Sequence, residues 1–221
     1  MITSKPEVQP GLESNADASR YQLMIASTNR GKISEFRQLL PSAIELLTPY
    51  DIDVTFPPET GETFAENATV KAMEAARQAG MMAIADDSGL EVDALGGLPG
   101  VRSARYAGEP PSDERNRQKL LTALSGVPPE GRQARFRCVV ALAAPAGTVS
   151  MAEGVCEGAI AQSARGTNGF GYDPIFLLPT GRTMAELSSQ EKNQISHRAR
   201  AYHRILPSLL AAFGLHQSEE G

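Results

Sequence analysis

Short apolar runs of strand length alternate with segments of helical period along this chain, and one consecutive pair of strand-like runs is joined by a three-residue turn. Residues 21–27 (YQLMIAS) read as a buried strand feeding a polar loop. From Lys32 on, Ile33, Phe36, Leu39 and Leu40 recur at helical spacing until Pro41. Residues 44–54 read as a second strand region, and Thr63-Phe-Ala-Glu66 is a capping box opening an Ala-rich helix to Ala79, closed by Gly80. Residues 81–85 are a buried strand expected to deliver Asp86-Asp87-Ser88-Gly89 at its C-terminal end. Residues 90–95 and 101–106 read as extended, and Ser112 or Asp113 caps a helix to about Leu124. Residues 135–143 alternate Phe136, Cys138, Val140 and Leu142 on one face, and Pro145-Ala-Gly147 returns the chain along residues 148–157 as a hairpin. Ser188-Ser-Gln-Glu191 caps a last helix through His203, broken near Pro207 and resumed to Phe213. Strand–helix alternation plus a hairpin predicts an α/β fold with a mixed central sheet.

At 221 residues the chain is long enough for one sizeable core without needing two domains. One domain over 21–216 is expected, between a polar, disordered extension (1–20) without an apolar segment for export and a short disordered tail (217–221). No apolar run reaches the roughly 20 residues of a membrane span. A formal charge of −5 argues against a binder of nucleic-acid polymers, which needs surplus clustered cations. Cys138 and Cys156 are the only cysteines, and neither they nor the three histidines have zinc-site spacing, so buried reduced thiols in a cytoplasmic protein are expected.

Five segments carry chemistry. Ser27, Thr28, Asn29, Arg30, Gly31 and Lys32 lie where a strand enters a helix, so backbone N–H groups and a lysine can cradle phosphate; the plain reading is a capped helix with a surface lysine. Asp86 and Asp87 after a buried strand are adjacent carboxylates suited to a divalent ion, or else part of an Asp-Gly turn. Glu59 precedes the helix that carries Glu66, Asn67 and Lys71; Glu66 has a ready reading as the capping acid. Gly166-Thr-Asn-Gly-Phe-Gly-Tyr-Asp173 leaves the Phe170 ring open to a flat ligand, or is a flexible loop with one aromatic anchor. Lys192, Ser196, His197 and Arg198 place several donors on one helix, where a solvated face is the ordinary alternative.

Together the segments ASTNRGK, ETGETFAENA, ADDSGLEVDALGGLPGVRSARYAG, GFGYDPIF and EKNQISHRARA resemble the noncanonical purine nucleoside-triphosphate pyrophosphatases (the ITPase, or dITP/XTP pyrophosphatase, family) from about Leu23 to Phe213. The resemblance implies two lobes around a deep active-site groove, a homodimer, and Mg²⁺-dependent hydrolysis of ITP, dITP or XTP between the α- and β-phosphates, cleansing the nucleotide pool. It implies that residues 27–32 hold the triphosphate, that Asp87 is the general base and a metal-associated acid with Asp86 beside it, and that Glu59 is the second metal acid. Lys71 would face the phosphates and Ser88 the substrate. Phe170, Gly171, Tyr172 and Asp173 would form the base pocket, with Asp173 bonding the ring edge, and Lys192, His197 and Arg198 would read a 6-keto oxygen. Asn168 stands where the family commonly has glycine. The neighbouring expectations are a Maf-type nucleotide pyrophosphatase and a non-catalytic nucleotide-binding protein; the SHR and GFGYDP segments and the acid set of Glu59, Asp86 and Asp87 weigh against them.

Overall fold

A computed structural model describes residues 21–215; the expected disordered extension and tail lie outside them. Six strands form one mixed sheet in the order β2-β1-β3-β4-β5-β6. β1 (Tyr21–Ile25) pairs in parallel with β2 (Ile44–Leu47) and with β3 (Ala83–Val92). β3, β4 (Gln133–Ala143), β5 (Val149–Ile160) and β6 (Phe176–Leu177) are antiparallel in succession. Helices α1 (Arg30–Leu39) and α5 (His197–Ala212) cover one face, packing Phe36, Tyr202, Ile205 and Leu209 onto Leu23, Ile25, Ile84, Val140 and Leu142. Helix α2 (Phe64–Ala79) covers the other face. Its buried stripe is Ala68, Ala72, Ala75 and Ala76, small enough for the helix to lie close against Met24, Ala83, Ala85 and Ala141. A further core lies where β3 to β6 extend past the parallel strands: Leu90, Val92, Phe136, Ile160 and Phe176 pack there with Leu120 and Leu124, at the end of α3 (Asp113–Ala123) and just after it. These cores make up the two lobes. No helix among the described residues is long and apolar enough to cross a membrane.

The capping box is present: Thr63 Oγ1 accepts from the Glu66 amide while the Glu66 carboxylate takes the Thr63 amide, and Gly80 ends the helix at φ 64°. The hairpin of β4 and β5 is as expected. Other expectations change. β3 does not stop at Ala85 but continues through Asp86-Asp87-Ser88-Gly89 to Val92, paired with β4 along its whole length. The second strand ends at Leu47 rather than Val54. Residues 100–105 form a 3₁₀ segment, not an extended one. The last helix breaks at Ser196, not Pro207. Ser196 is extended (ψ 154°) and ends α4 (Ser189–Ile195) while its hydroxyl accepts from the Ala199 amide to begin α5. Pro207 lies inside α5, where burial of Leu209 and Leu210 beyond it, about 1.5–3 kcal/mol each, offsets the roughly 3 kcal/mol cost of an interior proline.

α5 approaches β5 closely because Gly154 has no side chain; a Cβ there would overlap the His197 carbonyl and the Ala201 amide. Gly154→Ala is therefore expected to destabilise the protein by about 1–3 kcal/mol, read as a lower urea midpoint at unchanged m-value. An unchanged midpoint would mean that α5 has slack at this contact.

Candidate active site

Because side chains alternate along a strand, consecutive residues of β3 face opposite sides of the sheet. Ile84 belongs to the face under α1 and α5, and Ala85 to the face under α2. Asp86 therefore points toward α1 and α5, and Asp87 toward α2. Partners bear this out. Asp86 Oδ2 accepts from Arg198 Nη2 of α5 at 2.9 Å and is 3.0 Å from Lys32 Nζ of α1. Asp87 Oδ2 accepts from Asn67 Nδ2 of α2 at 2.9 Å, and Lys71 Nζ lies 3.8 Å from its Oδ1. The expected side-by-side pair of metal acids is thus split by the strand: Asp87 lines a cleft of about 550 Å³, whereas Asp86 lies outside that lining, 1% exposed.

Asp86 belongs to a buried chain of alternating charges. Arg198 also pairs with Glu35 of α1, whose other oxygen is 2.8 Å from Lys192 Nζ, and Lys192 is 2.5 Å from Asp173 Oδ2. Lys32, Lys192 and Arg198 balance Glu35, Asp86 and Asp173, which is the condition for burying so many ions. Burial raises the pKa of Asp86, but the nearby charges of Lys32 and Arg198 outweigh it and hold the carboxyl well below the usual range. Asp173 lines the cleft with its Oδ2 engaged by Lys192 and by the Phe170 amide at 2.9 Å. Glu35 carried no signal in the sequence, being one acid in an amphipathic helix.

On the α2 side, Lys71 Nζ donates to Glu59 Oε1 at 2.6 Å and to the Asp86 carbonyl at 2.8 Å. Arg105 Nη2, in the 3₁₀ segment, donates to the Glu59 carbonyl at 3.0 Å. Burial raises the pKa of Asp87 and Lys71 lowers it; the net direction is up, toward a more basic carboxylate. Burial raises the pKa of Glu59 too, but Lys71, by charge and hydrogen bond, together with Lys32 and Arg105 outweighs it and holds the carboxyl below its ordinary value.

The β1–α1 loop lies at the carboxyl end of β1, where the chain crosses to β2 on one side and β3 on the other; ligands of open α/β sheets settle at such switch points. Asn29 caps α1 through its side-chain oxygen, which accepts from the Lys32 amide at 3.1 Å. The Arg30 and Gly31 amides precede the first intrahelical bond and have no partner among the described residues. Ser27, Thr28, Asn29 and Lys32 line the cleft; Arg30 and Gly31 do not, so these two can contribute only their amides there. Gly31 has a second use: a Cβ on it would collide with the Phe170 ring. Above that ring stand Lys192 Nζ, 4.9 Å from its centroid, and the Arg198 guanidinium at 5.8 Å. His197 is stacked on Phe136 (centroids 4.8 Å apart), and its Nδ1 is buried without a partner. Burial, then the charges of Arg198 and Lys192, push its pKa well below the usual value, so the imidazole is neutral. Ser88, Gly171 and Tyr172 also line the cleft, so Asp87, Lys71 and Glu59 share one cavity with Phe170.

Residues 23–208 match the model of the Ham1 family. The chain is 52% identical over 187 residues to the dITP/XTP pyrophosphatase of Geobacillus kaustophilus, covering 83% of this chain and 92% of that protein. It is 48% identical over 199 residues to that of Desulforamulus reducens, covering 89% and 98%. Among solved structures it resembles a HAM1 protein from Coxiella burnetii (TM-score 0.78, 44% identity, 86% and 99% covered). It also resembles a nucleoside-triphosphatase / dITP/XTP pyrophosphatase from Mycobacterium abscessus (TM-score 0.69, 44% identity, 84% and 99% covered).

Asp86→Asn would leave Lys32 and Arg198 short of a buried counter-charge, and is expected to cost about 3–5 kcal/mol. The Asp86 folded pKa lies below the ~3.9 of an unfolded aspartate. Its contribution is therefore fully present above about pH 4 and is lost as the pH falls toward the folded value. Urea denaturation of wild type and variant across pH should show a gap that narrows only below about pH 4; a gap independent of pH would remove the charge as its cause.

Proposed function

Since the chain belongs to the Ham1 family, we propose that it is a nucleoside-triphosphate pyrophosphohydrolase that cleaves dITP, XTP and ITP to the monophosphate and pyrophosphate, clearing them from the nucleotide pool. The observation that supports this best is the shared cleft: partly desolvated carboxylates and lysines line one part of it, and an aromatic ring under two cations lines another.

The triphosphate would lie against the N-terminus of α1, whose free amides and positive dipole end favour anions, with Lys32 and Lys71 adding charge. Asp87 would take a proton from the water that attacks the α-phosphorus. Asn67 orients the carboxylate by holding Oδ2, and burial makes it a better base. Glu59 and Asp87 suit a magnesium ion: both are hard oxygen donors, and Lys71 already gathers them around one positive charge. Among the described residues no group of three or more His, Cys, Asp or Glu side chains is disposed for a metal, but magnesium is commonly held by one or two carboxylates plus substrate phosphates. When bound, the ion would neutralise charge on the phosphates and the leaving pyrophosphate.

The base would stack on Phe170 with its edge toward Lys192, His197 and Arg198. Lys192 and Arg198 have no acceptor capacity, so a 6-keto oxygen pairs with them while an adenine amino group meets donor against donor. Each donor so stranded costs about 1–3 kcal/mol, enough for selection against adenine. The homodimeric state implied by the resemblance and the cytoplasmic location expected from the two reduced cysteines belong to the same proposal.

The test is pyrophosphate release over a nucleotide panel with and without Mg²⁺. Turnover of dITP, XTP and ITP that requires Mg²⁺ and far exceeds that of dATP is expected. Preference for dTTP or methylated GTP would favour a Maf-type enzyme, and no release from any nucleotide a non-catalytic binder. Asp87→Asn should lower kcat by about 10²–10⁴-fold; near-normal turnover in a folded variant would exclude Asp87 as the base.

A further inference from the structure

The loop that carries Phe170 is fastened from two directions. On the α4 side, Asn168 donates to the Leu187 carbonyl at 2.8 Å and Asp173 is held by Lys192. On the opposite side Tyr172 Oη, one residue further along the loop, donates to the Ser103 carbonyl at 2.8 Å, and two hydrogen bonds from α3 act on the Gly171 peptide unit next to the ring. The Gly171 amide donates to Asp113 Oδ2 at 2.7 Å, and its carbonyl accepts from Arg117 Nη1 at 2.7 Å. Asp113 and Arg117 stand one helical turn apart and so present one face. Glu114 aims the guanidinium, accepting from Arg117 Nη2 at 2.6 Å. The helix is a firm anchor: the buried Asn116 accepts from the Ala107 amide at 2.7 Å and donates to the Ala104 carbonyl at 2.9 Å. Gly171 sits at φ 60°, a conformation that the absence of a side chain makes easy.

We propose that Arg117, with Asp113, is a positioning residue for the nucleobase: the clasp on Gly171 sets the height of the Phe170 ring above Gly31 and thereby the affinity for the nucleotide. This rests on the reading of the cleft as a purine-nucleotide site. Arg117 does not line the cleft, whereas Asp113 does, so Arg117 gives the cleaner test. It lies far along the chain from the phosphate-side residues Glu59, Lys71 and Asp87 and makes no hydrogen bond to them, so its loss should weaken ground-state and transition-state binding alike. The loop keeps its ties to the α4 side and stays folded.

The experiment compares steady-state kinetics on dITP for wild type, Arg117→Ala, Arg117→Lys and, as control, Gln118→Ala, an exposed neighbour on α3. Hydrogen exchange of the segment 166–173 is measured on the same full-length proteins without nucleotide. For Arg117→Ala, KM should rise about three- to ten-fold, the effect of one lost hydrogen bond, with kcat within about two-fold. Exchange in 166–173 should quicken. Arg117→Lys, which keeps a donor, should recover most of the loss, and Gln118→Ala should match wild type. The proposal is overturned if KM does not move in Arg117→Ala, if kcat falls in place of a KM change, if exchange is unaltered, or if lysine is no better than alanine. Should the wild type release no pyrophosphate from dITP or XTP, the functional reading fails on its own, and the exchange data still decide whether Arg117 holds the loop.

Discussion

The two-residue period of β3 is the constraint on which the site depends. It takes adjacent aspartates and sends one to each face of the sheet, so that one can be spent on structure and the other left for chemistry. Asp86 meets Lys32 and Arg198 in a nearly dry environment. Asp87 meets an amide and a lysine at the edge of a cleft. Burial raises the pKa of both; the difference lies in the surrounding cations, which overwhelm that effect at Asp86 and fall short of it at Asp87. One acid is thus fixed as a permanent anion while its neighbour becomes more basic.

Asp86 in turn organises the cations that line the cleft. Arg198 is held by Asp86 and Glu35, and Lys192 by Glu35 and Asp173, so the donors over Phe170 are in place with their charges compensated. Donors that need no rearrangement lose less freedom on binding. The same balance shows how a chain of net charge −5 can present a site for a polyanion: its field is set within a few ångströms by α1 and these lysines, and more distant surface carboxylates are screened.

How far the sequence reveals this depends on how local each cause is. Helix α2 was legible because its capping box and alanine stripe are short-range patterns, and the β4–β5 hairpin because alternation and a Gly turn are too. The loop at 166–173 and the donors at 192–198 were legible as candidate ligand groups. The path of β3 was not. Asp-Asp-Ser-Gly has the composition of a turn, and only Lys32, Asn67, Lys71 and Arg198, scattered from one end of the fold to the other, make it tolerable as buried strand. Glu35 and Arg117 were hidden for a related reason: each is an unremarked charge on an amphipathic helix until folding brings α4, α5 or the base loop against it. The break at Ser196 also escaped notice, because a single serine serves as the end of one helix and the cap of the next.

The length of β3 explains why the carboxylates at Glu59 and Asp87 and the ring of Phe170 can share one cleft. Ten residues at about 3.3 Å each make a strand of roughly 33 Å, twice as long as its parallel neighbour β1. Its first part is parallel-paired with β1 and lies beside the α1 N-terminus; its later part leaves β1, stays paired with β4, bridges to Pro99 through Glu91 and enters the second lobe. Asp87 and Ser88 sit at the transition. A ligand spanning the cleft therefore rests along one continuous element, and the relative placement of its two ends is fixed by a hydrogen-bonded ladder instead of by a hinge. Adjustment between them is left to the loop that carries Phe170, which is why the fastening of that loop, from α4 on one side and α3 on the other, is where affinity can be tuned without moving the carboxylates.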